Sequence, residues 1–208
     1  MSIAEIFSPV WAFIGSVPNL LPITVLGAVA LFLVKETLEG IRRRNATKRK
    51  RRAMRRMLKD ELERNKWALR SLRNSVNMVE SLLQRPLATI SLRTDRLGGR
   101  KIRLQEDGDG AYSERPLPEI HSDFIKENVL EIALVDKKIF EEALAVLDAL
   151  AEMEHVLKGV LDYSESQDMG FLKGFAEYAH KELDDCETAL ANLYTKITGK
   201  PYEEFRLR

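Results

Sequence analysis

Glu152-Met-Glu-His155 and Glu177-Tyr-Ala-His180 are two Glu-x-x-His sequences, a spacing suited to metal chemistry. Residues three apart share a helix face. Ferritin-like bundles use this to bring a carboxylate and an imidazole inward from each of two helices, with further Glu from the other two. Helical phase opposes that use here. If Leu150, Met153, Leu157 and Val160 face a core, Glu152 and His155 turn away from it. If Ala179, Leu183 and Cys186 face inward, Glu177 lies outside and His180 at the flank. A di-metal bundle enzyme therefore ranks last among the functions the sequence suggests, and no metal and no cofactor is assigned. There is no Gly-x-Ser-x-Gly, no phosphate-cradling glycine loop and no His-Glu-x-x-His, and His121 stands alone in a loop. Catalytic residues are therefore assigned as none. The single cysteine, Cys186, occupies an apolar-periodic position and reads as an inert core thiol.

The elements that carry these residues are helices. From Ile41 to Arg85 there is no Gly or Pro, and the residues are good helix formers. Leu58, Leu62, Asn65, Leu69, Leu72, Val76, Val79 and Leu83 step by fours and threes, the mark of a narrow coiled-coil-like seam. Asn65 on that seam has two readings, a register-fixing polar residue or a local polar contact. Leu62, Asn65, Leu69, Leu72, Val76, Val79 and Leu83 are the candidate helix-seam or oligomer contacts. They meet either a second copy or the chain's own C-terminal hairpin. A short helix is expected from Phe124 to Ala133. A long one carries Ile139, Ala143, Val146 and Leu150 onward, and a last one runs from about Met169 to Ile197, closed by Gly199 and Pro201. The turn at Ser164–Asp168 makes the last two antiparallel neighbours. Gly170 and Gly174 read as small residues at a tight crossing or a helix start. Residues 86–120 hold Gly98-Gly99, Gly108, Gly110, Pro116 and Pro118. They read as a long inserted loop, in which Thr89–Arg93 and Arg100–Leu104 alternate like a small β-hairpin.

Charge organises the N-terminal part. Between Glu5 and Lys35 no side chain ionises, whereas the stretch from Lys35 through Lys59 holds twelve Lys or Arg, both ends included. The whole chain, with 33 basic and 32 acidic residues, is nearly neutral. Leu20 to Leu38 meets the length of ~20 apolar residues that spans a bilayer, and the charge asymmetry puts the basic side in the cytoplasm. The expected layout is an interfacial segment at 1–19, a transmembrane helix at 20–40, a basic juxtamembrane helix at 41–60 and a cytoplasmic bundle at 61–208. The chain is then a single-pass inner-membrane protein with its N-terminus outside. Its fold class is all-α: a transmembrane helix followed by an antiparallel three- to four-helix bundle with the 86–120 loop. Arg42, Arg43, Arg44, Lys48, Arg49, Lys50, Arg51, Arg52, Arg55 and Arg56 are the expected contacts to anionic lipid headgroups. Nucleic acid is disfavoured, because no aromatics interleave with the charges.

Glu61-Leu62-Glu63-Arg64-Asn65-Lys66-Trp67-Ala68-Leu69 opens the helix after the basic stretch, and Leu193-Tyr194 closes a later one. With the N-terminal apolar run, this resembles a loose group of bacterial membrane proteins of unknown function. They share a short anchor, a basic stretch and a helix opening Glu-Leu-x-x-Asn-x-x-x-Leu. The resemblance covers about half the chain and brings no activity. The expected function is thus a non-enzymatic membrane-anchored scaffold, tether or regulatory subunit. It would act as a homo-oligomer or with a protein partner. The alternative is an oligomeric membrane effector of pore-forming or membrane-disrupting type.

Overall fold

The computed structural model describes residues 23–85, 87–96, 98–106 and 110–202. In chain order the elements are α1 (Ile23–Glu80), a 3-10 turn (Ser81–Gln84), β1 (Thr89–Thr94), β2 (Arg100–Gln105), β3 (Tyr112–Pro116), α2 (Asp123–Val135), a second 3-10 turn (Lys137–Ile139), α3 (Phe140–Ser166) and α4 (Met169–Thr198). The chain divides into two units, 1–49 and 50–208.

The described part of the first unit is the start of α1. Val29, Leu31, Phe32 and Leu38 are exposed there. The transmembrane reading is corrected: among the described residues, no helix is long and apolar enough to cross a membrane. Helix α1 starts at Ile23, and Lys35, Glu36 and Glu39 follow. Its described uncharged part, Ile23 to Val34, is therefore about 18 Å long, against a hydrocarbon core of about 30 Å. The single-pass inner-membrane placement, with the N-terminus outside and a cytoplasmic C-terminal domain, falls with it. The expected interfacial segment at 1–19 and the residues Leu20–Pro22 lie outside the described residues.

In the second unit, the stretch of α1 from Lys50 to Glu80 lies with α3 and α4 around one core. Leu58, Leu62, Leu72 and Val76 of α1 are buried together with Val146, Leu150 and Met153 of α3 and Leu183, Leu190 and Leu193 of α4. Fully burying each such side chain contributes roughly 1.5–3 kcal/mol, which must offset the entropy of ordering the chain. The turn between α3 and α4 is tight because Gln167 adopts the left-handed conformation (φ 53°). Asp168 then caps α4, its carboxylate accepting from the Gly170 amide at 2.8 Å and the Phe171 amide at 3.4 Å. Gly199 ends α4 with φ 69°, a conformation that costs glycine little.

The all-α class and the loop reading are also corrected. Residues 89–116 form a three-stranded antiparallel sheet in the order β1-β2-β3, with Ser91 opposite Arg103 and Arg103 opposite Glu114. A two-stranded hairpin is marginal in water, and a third strand with a buried face supplies what it lacks. Ile90, Ile102 and Leu104 are that buried face, and β1 packs against α3. The Gln167 side chain ties the helical hairpin to the sheet by donating to the Ile90 carbonyl at 3.1 Å.

Candidate docking groove

The basic residues divide into two groups. Arg42, Arg43, Arg44, Lys48 and Arg49, in the first unit, are exposed, as are Arg52 and Arg56 in the second. Lys50, Arg51 and Arg55 instead hold the C-terminal end of α2. Arg51 donates to the Val135 carbonyl at 2.8 and 3.0 Å, Arg55 pairs with the buried Asp136 at 2.6 Å, and Lys50 pairs with Glu131. Cations there suit the partial negative charge of a helix C-terminus.

The opposite end of α2 is held by the polar residues of the α1 opening. The Asn65 side chain, fully buried, donates to the His121 carbonyl and accepts from the His121 amide at 2.9 Å. Glu61 is 8 % exposed and accepts from the Ile125 amide at 3.1 Å, capping α2 from outside because Ser122 makes no side-chain cap. Its second carboxylate oxygen has no hydrogen-bond partner among the described residues. Burial pushes the Glu61 carboxyl up to about 7, against the lowering effect of the Ile125 and Phe124 amides. Asn65 therefore fixes a loop. Its seam neighbours Leu62, Leu69, Leu72, Val76 and Val79 are buried inside the unit, while Leu83, in the 3-10 turn, is exposed.

The two Glu-x-x-His sequences look to different partners. His180 contacts Glu80 at 3.0 Å. Glu152 accepts from the Tyr178 hydroxyl at 2.7 Å, a bond that pushes the phenol up to about 12. His155 meets the same Tyr178 ring edge-on, with centroids 5.9 Å apart. Among the described residues, no group of three metal-ligating side chains converges.

His155 and Tyr178 stand at one end of a groove of about 470 Å³ between α3 and α4. Helix α3 lines it with His155, Lys158, Gly159 and Asp162, and α4 with Phe171, Gly174, Phe175 and Tyr178. Each set runs i, i+3, i+4, i+7, the stripe one helix face presents. The volume falls in the range of ligand and side-chain pockets. Phe175 fills the space over Gly159, where an added Cβ would lie 2.3 Å from its ring. Phe171 stacks on Phe175 at 5.3 Å yet remains 44 % exposed, and Tyr178 is 37 % exposed. Over Gly174 the space is open. The walls are thus aromatic, the floor is interrupted by glycine, and Lys158 and Asp162 are exposed.

A larger cavity of about 620 Å³, lined by α1 and α4 residues with Tyr202, contains Arg73, Lys66 and Trp67. Arg73 pairs with Asp184 at 2.6 Å and Glu187 at 3.0 Å, and Lys66 donates to the Tyr202 carbonyl and sits 4.3 Å over its ring. Cys186 is buried and donates to the Ala149 carbonyl, and burial pushes its thiol up to about 12, so it is not a thiolate nucleophile at neutral pH.

Sequence reasoning did not single out Phe171, Phe175 and Tyr178. Their spacing was the available signal: three aromatics on a helix whose inner face was already supplied by Leu172, Ala176 and Ala179. Gly174, noted in the sequence for its separation from Gly170, lies at the groove's open point. No protein-family model, no curated protein and no solved structure matches the chain.

Proposed function

We propose that this protein is a non-enzymatic scaffold or regulatory subunit that works by holding a protein partner on its helical bundle. The observation that carries this is the α3/α4 groove. Phe171 and Tyr178, side chains that ordinarily gain most by burial, flank it exposed. Exposed aromatic residues are enriched at protein interfaces and among the residues that carry their binding energy. The groove is built on two rigid helices joined by a capped turn, so its shape exists before a partner arrives and little ordering cost is added on binding. The polar residues near it act in packing: Glu152 orients Tyr178, and Tyr178 packs against His155.

The test is in-cell cross-linking of the full chain carrying a photoreactive side chain at position 171, followed by identification of what is captured. The reading expects a stoichiometric protein adduct that disappears when Gly174 is replaced by Trp. An adduct yield unaffected by Gly174→Trp, or no protein adduct, refutes it.

A further inference from the structure

Resting on the docking reading above, we infer that the occupant of the α3/α4 groove is a second copy of this chain, placed by a two-fold axis that passes the groove at Gly174. The geometry is self-complementary. In the hairpin, residues equidistant from Gln167 lie at one level, as the contacts of Gly159 with Phe175 and of His155 with Tyr178 show. Gly174 is therefore level with position 160, midway between Lys158 and Asp162. A two-fold axis at that level brings Lys158 of one copy opposite Asp162 of the other, twice. It places Phe171 against the Tyr178 end of the partner's groove, again twice. Glycine stands where the two backbones come closest, and its open side allows that approach.

An isologous interface needs each feature to meet its complement under one rotation. Here a cation meets an anion, the exposed Phe171 ring meets the exposed Tyr178 ring, and the small residue sits on the axis. Lys158 and Asp162 are exposed, so their charges remain free to steer and register the partner. The groove side chains project from regular helix, so the match relies on no loop rearrangement.

Sedimentation equilibrium of the purified full chain over a range of concentrations tests this. The expected result is a monomer–dimer equilibrium. Lys158→Asp alone places four carboxylates at the axis, and Asp162→Lys alone places four ammonium groups there. Each should weaken the dimer by at least about tenfold, and the double exchange Lys158→Asp/Asp162→Lys should restore it, because the pairing is only reversed. Gly174→Leu should abolish the dimer while leaving the circular dichroism and thermal unfolding of the monomer unchanged, since a side chain there meets nothing inside the molecule. A dimer indifferent to these substitutions, or single reversals that the double exchange does not rescue, overturns the inference. A chain that stays monomeric yet cross-links from position 171 to a different protein also overturns it and leaves the docking reading standing. A monomer that cross-links to nothing ends both.

Discussion

Glu61→Gln is the most discriminating perturbation of the fold. The carboxyl is buried at the start of α2, and desolvation there raises it from 4.5 to about 7 despite amide donors that favour the anion. Asp123 adds to the rise and Arg64 opposes it. Folding therefore takes up a proton in the window between those values. Stability from this group is fully present below about 4.5 and is lost as pH rises through about 7. At about 1.4 kcal/mol per pH unit, the interval from 4.5 to about 7 is worth about 3 kcal/mol. Glutamine keeps an oxygen for the Ile125 amide and cannot ionise. Its effect relative to the parent should be small at pH 5. By pH 8.5 the variant should be the more stable by about 2–3 kcal/mol. Urea unfolding followed by circular dichroism across this pH range measures both proteins. Every other titrating group is common to the two, so the difference curve isolates position 61. A difference that is flat with pH would refute the reasoning, because burial would then not be what sets the Glu61 proton affinity.

Other substitutions test the packing. Arg55→Met leaves Asp136, 2 % exposed, with the more distant Arg51 at 3.8 Å as its remaining cation among the described residues. A loss of about 2–4 kcal/mol in urea unfolding is expected, partly recovered by adding Asp136→Asn, and no recovery would mean that the buried charge is not the cause. Asn65→Ala strands both the amide and the carbonyl of His121 inside the protein. It should cost about 1–3 kcal/mol, with faster hydrogen exchange at residues 121–125 as the local signature. Gly159→Ala forces a methyl group into the Phe175 ring, a cost of about 1–3 kcal/mol read as a fall in Tm, whereas an unchanged Tm would mean that the ring has another place to go.

The helices were legible because their signals are local. A glycine- and proline-free run predicted α1 from Ile41 onward, and apolar residues at steps of three and four predicted most of α3 and nearly all of α4. Asp168 and Gly199 marked boundaries by backbone chemistry that needs no partner. The sheet was half legible. Alternation revealed Thr89–Arg93 and Arg100–Leu104, but Tyr112–Pro116 carries no apolar alternation and becomes a strand because β2 offers it an unpaired edge. The apolar run before Lys35 invited a membrane reading, but among the described residues no helix is long and apolar enough to cross a membrane.

What the sequence determined, then, is the set of helices and their inner faces, since periodicity against an apolar core is written residue by residue. What only the tertiary structure decided is how polar and aromatic residues are spent. Lys50, Arg51 and Arg55 belong to one even-looking basic run, yet they bind the end of α2 while their neighbours remain exposed. Asn65 sits in an apolar seam and serves a loop more than fifty residues away in sequence. The groove exists because two stripes on separate helices, each unremarkable by itself, are brought level by a turn at Gln167 and Asp168. Helical phase is a property of neighbours in sequence, whereas burial of a charge, capping from another helix and the alignment of two faces are properties of neighbours in space.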